Sequence, residues 1–152
     1  METPMKRYAR IAWIAIAIVA ALAAPVSAVE GNTAEQVLEL INAERAKEHL
    51  PPVKLNSKLT EAARDFADYL KTHHAFSHTA DGRSPGARIK AAGYHWSAEG
   101  EIILKGASTA AGAVRGWMNS PGHRAIILGK SYQEIGVGRS GAYWVVDFGR
   151  PR

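Results

Sequence analysis

The stretch that decides the reading is Trp117-Met118-Asn119-Ser120-Pro121-Gly122-His123-Arg124. Proline fixes φ and glycine widens the backbone's choices, so Ser120-Pro121-Gly122 is a tight, rigid turn. Serine before proline is the pattern of a helix cap followed by the first helical residue. The spacing therefore predicts a short helix with His123 in its first turn and Ile126-Ile127-Leu128 behind it. At that end the helix dipole disfavours added positive charge, so the imidazole is held neutral. Neutral imidazole binds a metal or accepts a proton. A histidine that merely packs is the structural alternative, and the polar residues within its reach decide between them.

Those residues lie upstream. Phe76-Ser77-His78-Thr79 forms a loop before Asp81-Gly82, with a histidine between an aromatic and a hydroxyl residue. Glu99-Gly100-Glu101-Ile102-Ile103-Leu104 reads as a strand. Its alternation sets Glu99, Glu101 and Ile103 on one face, with Ile102 and Leu104 on the other. A carboxylate inside a strand needs a partner if it is buried. His73 and His74 end a helix, where imidazolium suits the dipole, and His95 has no evident partner.

The remaining elements follow from periodicity. Asn32-Thr33-Ala34-Glu35 has the form of a capping box, and a helix with Val37, Leu38 and Ile41 inward follows until Pro51-Pro52. Val53-Lys54-Leu55 is extended. A helix over 58–74, capped by Asn56 or Ser57, carries Leu59, Ala62, Ala63, Phe66, Ala67 and Leu70 on one face. Ser84-Pro85 opens a third helix that Gly93 stops, and Ser108 or Thr109 opens the one reaching Trp117. Residues 134–139 and 142–148 form a hairpin turned by Ser140-Gly141. Gly136 and Gly138 share a face that another element can approach closely. This order predicts an α+β fold, an α-β-α sandwich with a small central antiparallel sheet covered by helices.

The chain has 152 residues and no cysteine, which excludes thiol chemistry and cysteine-based zinc sites. Residues 1–28 read as a secretory signal. Lys6, Arg7 and Arg10 precede the 14-residue apolar run Ile11–Ala24, and Val26-Ser27-Ala28 offers a cleavage site. The run falls short of the ~18 residues of a spanning helix, so no transmembrane span is expected after cleavage; an uncleaved anchor is the alternative. Residues 29–34 are a short lead and 35–149 the domain. The 124 residues after Ala28 carry sixteen Lys/Arg against thirteen Asp/Glu, an excess of +3 that favours anionic envelope polymers or lipid headgroups. No basic tract interleaved with aromatics points to nucleic acid. The protein is expected to be a monomer, secreted or periplasmic.

Taken together, Asn42-x-x-Arg45, Phe76-Ser77-His78-Thr79, Arg88-x-x-x-x-Gly93-Tyr94, Gly100-Glu101, Trp117 to Arg124 and Tyr143-Trp144-x-x-Asp147-Phe148-Gly149 resemble the bacterial branch of the CAP superfamily. These are the cysteine-rich secretory, antigen 5 and pathogenesis-related 1 proteins. The resemblance implies a central cleft with two histidines and one or two acids, and in some members a bound zinc or other divalent cation. By motif, His78 and His123 are the implied histidines and metal ligands, and Glu101 the implied acid. Ser120 or a neighbour stands where a further cleft glutamate would be. Ile102, Ile126 and Val146 replace polar residues usual in the family; alternation points Ile102 away from Glu101 toward the core, whereas Ile126 shares the helical face of His123 and is expected to make the cleft around it more apolar. The implied function is a non-enzymatic binding module for a lipid or cell-envelope ligand. The alternative is a metal-dependent, protease-like hydrolase with Glu101 as the catalytic base or ligand.

Overall fold

A computed structural model describes residues 26–152, with side chains from Asn32 onward. The basic start and apolar run read as a secretory signal lie outside the described residues. Five helices and four strands follow in the order α1 (Val26–Lys47), β1 (Lys54–Leu55), α2 (Ser57–Thr72), α3 (Pro85–Ala91), β2 (Trp96–Lys105), α4 (Ala110–Met118), α5 (Pro121–Ile127), β3 (Glu134–Ser140) and β4 (Tyr143–Pro151).

The first helix corrects two expectations. It runs through Asn32 instead of starting there, and the Asn32 amide oxygen accepts from Gln36 Nε2 at 2.6 Å within the helix. It also stops at Lys47, short of Pro51-Pro52, because His49 takes a left-handed φ of 55° and the Leu50 amide closes back on the Arg45 carbonyl. Two polar residues of this helix tie it to its neighbours. The Asn42 side chain donates to Val53 O and accepts from Val53 N, both at 2.9 Å, and so pins the chain leading into β1. Arg45 is fully buried and donates to Pro51 O, Ile127 O and Gly129 O. A cation on the last carbonyls of α5 suits the negative end of that helix and fixes its position.

The strands form one sheet in the order β1-β3-β4-β2. It is mixed, not purely antiparallel. β1 runs parallel to β3, which it can do because α2 and everything after it separate them in sequence. The hairpin turn is Gly141-Ala142, one residue later than expected. Ser140 stays in β3 opposite Tyr143, and Gly141 supplies the φ of +58°.

Alternation then sorts the core. Ile102, Val146 and Phe148 face α1 and α4 with Val37, Ile41 and Trp117. Ile103, Val145 and Tyr143 face α2 with Phe66, Ala67 and Leu70. α2 lies on β3 because Gly136 and Gly138 leave room for its backbone. A Cβ at Gly136 would stand 2.0 Å from the Leu59 carbonyl carbon, and one at Gly138 2.2 Å from Ala63 O. Helices thus cover both faces, and β2 is left as a free edge with α3 and α5 against it. Among the described residues no helix is long and apolar enough to cross a membrane.

Candidate functional site

The site straddles the edge strand β2. From one side comes the loop between α2 and α3, from the other α5. Arg88, on α3, organises the loop. Ser84 caps α3 by accepting from Ala87 N, with Pro85 in the first turn, and this aims Arg88 inward. Its Nη1 donates to Asp81 Oδ1 at 2.9 Å and Arg83 O at 3.0 Å; its Nη2 donates to His78 O at 2.9 Å and Glu101 Oε2 at 2.6 Å. The guanidinium lies 3.4 Å over the Phe66 ring. A planar fork with donors on both arms can do this, and an aromatic face accepts its charge from behind.

Asp81 is the loop's second anchor. Burial would raise its carboxyl, but the Arg83 amide, the Arg88 charge and the Arg83 side chain together hold it below its ordinary value. With both ends fixed, the loop delivers His78 to Glu101. Nδ1 lies 2.7 Å from Oε1. Since Glu101 is also the salt-bridge partner of Arg88, it is the acceptor, and Nδ1 carries the proton. In the neutral ring the lone pair is then on Nε2, and the His78 side chain is about half exposed (47%). The Glu101 side chain is 1% exposed, with one oxygen on each partner.

His123 sits in the first turn of α5, as its sequence context predicts. Its ring is partly buried and Nδ1 has no partner. Burial first, and then the charge of nearby His78, push its pKa below the usual histidine range. The expectation of a serine cap is corrected: Ser120 occupies the N-cap position, but its hydroxyl makes no capping bond. Ser120 makes no bond to His78 or Glu101 among the described residues. The fold therefore joins His78 to Glu101 directly and brings His123 near them. His73 stacks on Tyr69 at 3.9 Å and bonds the Tyr69 carbonyl, away from this group.

Three residues of the site receive no role from the sequence: Arg88, Asp81 and Asp147. Asp147 stands opposite Glu101 in the β2–β4 register, is 1% exposed, and has no donor on either oxygen. Burial and the Glu101 charge push its pKa well above the ordinary carboxylate value. Alternation along β4 separates Val145 and Asp147 from Trp144, Val146 and Phe148. That signal would have placed Asp147 on the Glu101 face had the strand partner been known.

A divalent cation was an expectation for His78 and His123. Zinc in a protein site takes three or four protein ligands. Among the described residues no group of three His, Asp or Glu side chains is arranged to hold a metal. Glu101, the nearest acid, has both oxygens committed. The donor set does not fit a resident zinc.

The chain belongs to the cysteine-rich secretory protein family, CAP, whose family model matches residues 38–148. It is similar to the uncharacterized protein YkwD of Bacillus subtilis, 38% identical over 117 residues, covering 75% of this chain and 46% of YkwD. Among solved structures it resembles an extracellular protein containing an SCP domain from Bacillus anthracis, with a TM-score of 0.76 and 26% identity over 79% of this chain and 41% of that one. It shares its fold with an outer surface protein of Borrelia burgdorferi, with a TM-score of 0.73 and 24% identity over 78% of this chain and 92% of that one. The chain thus spans less than half the length of YkwD and of the Bacillus anthracis protein. It is a cysteine-free member of the family, of the bacterial type.

Proposed function

We propose that this is an extracytoplasmic, non-enzymatic CAP domain that holds an amphiphilic ligand, a lipid or another cell-envelope component, in the cleft between His78 and His123. The observation that carries this is the commitment of Glu101. One oxygen is on Arg88, the other on His78, and the side chain is 1% exposed. Such a carboxylate orients His78; it does not reach a substrate proton or a cation. What remains open to a ligand is Nε2 of His78 and a His123 ring whose pKa is held below the usual histidine range. These can hydrogen-bond a polar head without supplying a nucleophile.

The surroundings favour an apolar tail. Phe76, two residues before His78, is 53% exposed and is the exposed large hydrophobic side chain among the described residues. Ile126, half-buried, follows His123 by one helical turn. The secretory-signal reading of residues 1–28 supports the location, as does the likeness to an extracellular protein of Bacillus anthracis.

The test is a lipid-extract pull-down with the secreted protein and with His78→Ala/His123→Ala. The expected result is enrichment of particular species by the parent and loss in the double variant. A folded parent that enriches nothing over a control protein overturns the reading. A peptidase and esterase panel run alongside addresses the hydrolase alternative: turnover that Glu101→Gln abolishes would restore it.

A further inference from the structure

We infer that the N-terminal end of β2 carries a second site, a phosphate-binding niche formed by Lys90, His95, Trp96 and Arg152. It goes beyond the cleft and is independent of it, lying five residues from Glu101, roughly 16 Å along the strand.

The backbone builds the niche. A register shift between Trp96 and Ala98 sets a bulge at the start of β2. Bulges re-aim side chains, and here the indole turns to α3, where Nε1 donates to Gly86 O at 3.2 Å. The ring packs against Leu59, Ala62, Ile89 and Tyr94 and becomes a fixed wall. Trp96 pairs with Pro151, and the Arg152 amide donates to His95 O at 3.1 Å, so the end of β4 is tied beside His95. Lys90 comes from the last turn of α3.

These four residues line a cavity of about 110 Å³, with no Asp or Glu side chain among them. Elsewhere several basic side chains find acids, Lys47 with Glu44, Lys54 with Glu134, Arg83 and Arg88 with Asp81, Arg124 with Glu48, and others find carbonyls, as Arg45, Lys58 and Arg139 do. Among the described residues Lys90, His95 and Arg152 make no ion pair and no side-chain hydrogen bond. The adjoining hollow of about 320 Å³ shares His95, and its one acid, Glu134, is already bonded by Tyr94 and Lys54.

Unpaired cations beside one another repel, and an anion placed between them relieves this. A guanidinium fork, an ammonium and an imidazole are three kinds of donor around one small volume. A phosphate group offers tetrahedrally disposed terminal oxygens to them, three in a monoester and two in a diester, whereas the two oxygens of a carboxylate lie in one plane with their carbon. The apolar Trp96 wall suits the carbon skeleton to which such a phosphate is esterified. The chemistry is that of an organic phosphate, free or as a lipid headgroup.

The test is a titration followed by amide and indole NMR signals of the secreted protein. Inorganic phosphate and glycerol phosphate form one arm, and phosphatidylglycerol vesicles, with phosphatidylcholine vesicles as control, the other. The expected result is saturable movement of the Lys90, His95, Trp96 and Arg152 signals with a dissociation constant on the order of 1 mM. In Lys90→Gln/Arg152→Gln binding weakens about tenfold or more, as loss of charge-assisted bonds requires, with no change in melting temperature. His78→Ala/His123→Ala leaves it intact, which separates this site from the cleft. A response to soluble phosphate identifies a free ester as sufficient; a response to phosphatidylglycerol alone identifies the headgroup. No saturable movement in either arm, or movement unchanged in the Lys90/Arg152 variant, overturns the inference.

Discussion

Glu101 and Asp147 are direct partners across the β2–β4 ladder, and only Glu101 is bonded to a cation. Asp147 is buried first and beside Glu101 second, and both effects raise its pKa well above the ordinary carboxylate value. The group therefore binds its proton more tightly folded than unfolded. Such a group contributes stability that is fully present below about pH 4 and is lost as pH rises toward its folded pKa. Asp147→Asn has nearly the same shape and no charge to bury. It is expected to melt within a degree or so of the parent near pH 4 and roughly 2–6 °C above it at neutral pH. Melting curves of both proteins across that range check this, and a constant gap would reject it.

The Arg88 guanidinium is 2% exposed and serves four acceptors: Asp81, Glu101 and the carbonyls of His78 and Arg83. Removing it leaves the buried Glu101 without its arginine, Asp81 with Arg83 alone, and the loop without its tie. Arg88→Ala should cost about 3–5 kcal/mol. Arg88→Lys should recover little of this, because an ammonium has no fork to span the two acids and rests poorly on the Phe66 ring. Urea unfolding measures the loss. Hydrogen exchange over residues 78–83 should accelerate in both variants more than exchange in β3 and β4.

Periodicity, read together with capping and turn residues, located the helices and the strand bearing Glu101, because burial on one face leaves a repeating mark. It did not locate Arg88's role. An arginine on a seven-residue helix carries no local sign of the four acceptors it meets, three of which come from the loop before it and one from β2. Asp147 was hidden for the same reason: its meaning lies in a register with β2 some 46 residues away. The start of α1 was misplaced because Asn32-Thr33-Ala34-Glu35 satisfies a capping pattern locally, yet nothing in that pattern stops a helix from arriving through it. The parallel pairing of β1 was invisible because two residues have no periodicity.

Gly136 and Gly138 test the packing of α2 on the sheet. The nearest atoms to a Cβ at either position belong to α2 backbone, which cannot rotate away. Gly136→Ala and Gly138→Ala must push the helix off β3, and each is expected to cost about 3 kcal/mol or more, at the upper end of overpacking effects. Gly122→Ala is the control. Nothing lies within 4 Å of its Cβ position, and alanine favours the helix by about 1 kcal/mol. Denaturation midpoints should fall sharply for the first two and hold or rise for the third. Equal behaviour of all three would mean that α2 does not sit on these glycines.

His123 offers the most direct view of the cleft. Its pKa is lowered by burial first and by the charge of His78 second. An imidazole of this kind binds its proton less readily folded than unfolded. Its contribution to stability is therefore present above about pH 6.5 and is lost as pH falls from there through the folded value. Two-dimensional NMR of the histidine rings gives the pKa directly, and it should lie below about 6.5. His78→Ala should raise it, but only part of the way, because the larger cause is burial. A His123 that titrates at or above the ordinary value in the parent would mean that its ring is solvated. A full return to the ordinary value in His78→Ala would mean that the His78 charge, not burial, keeps His123 neutral.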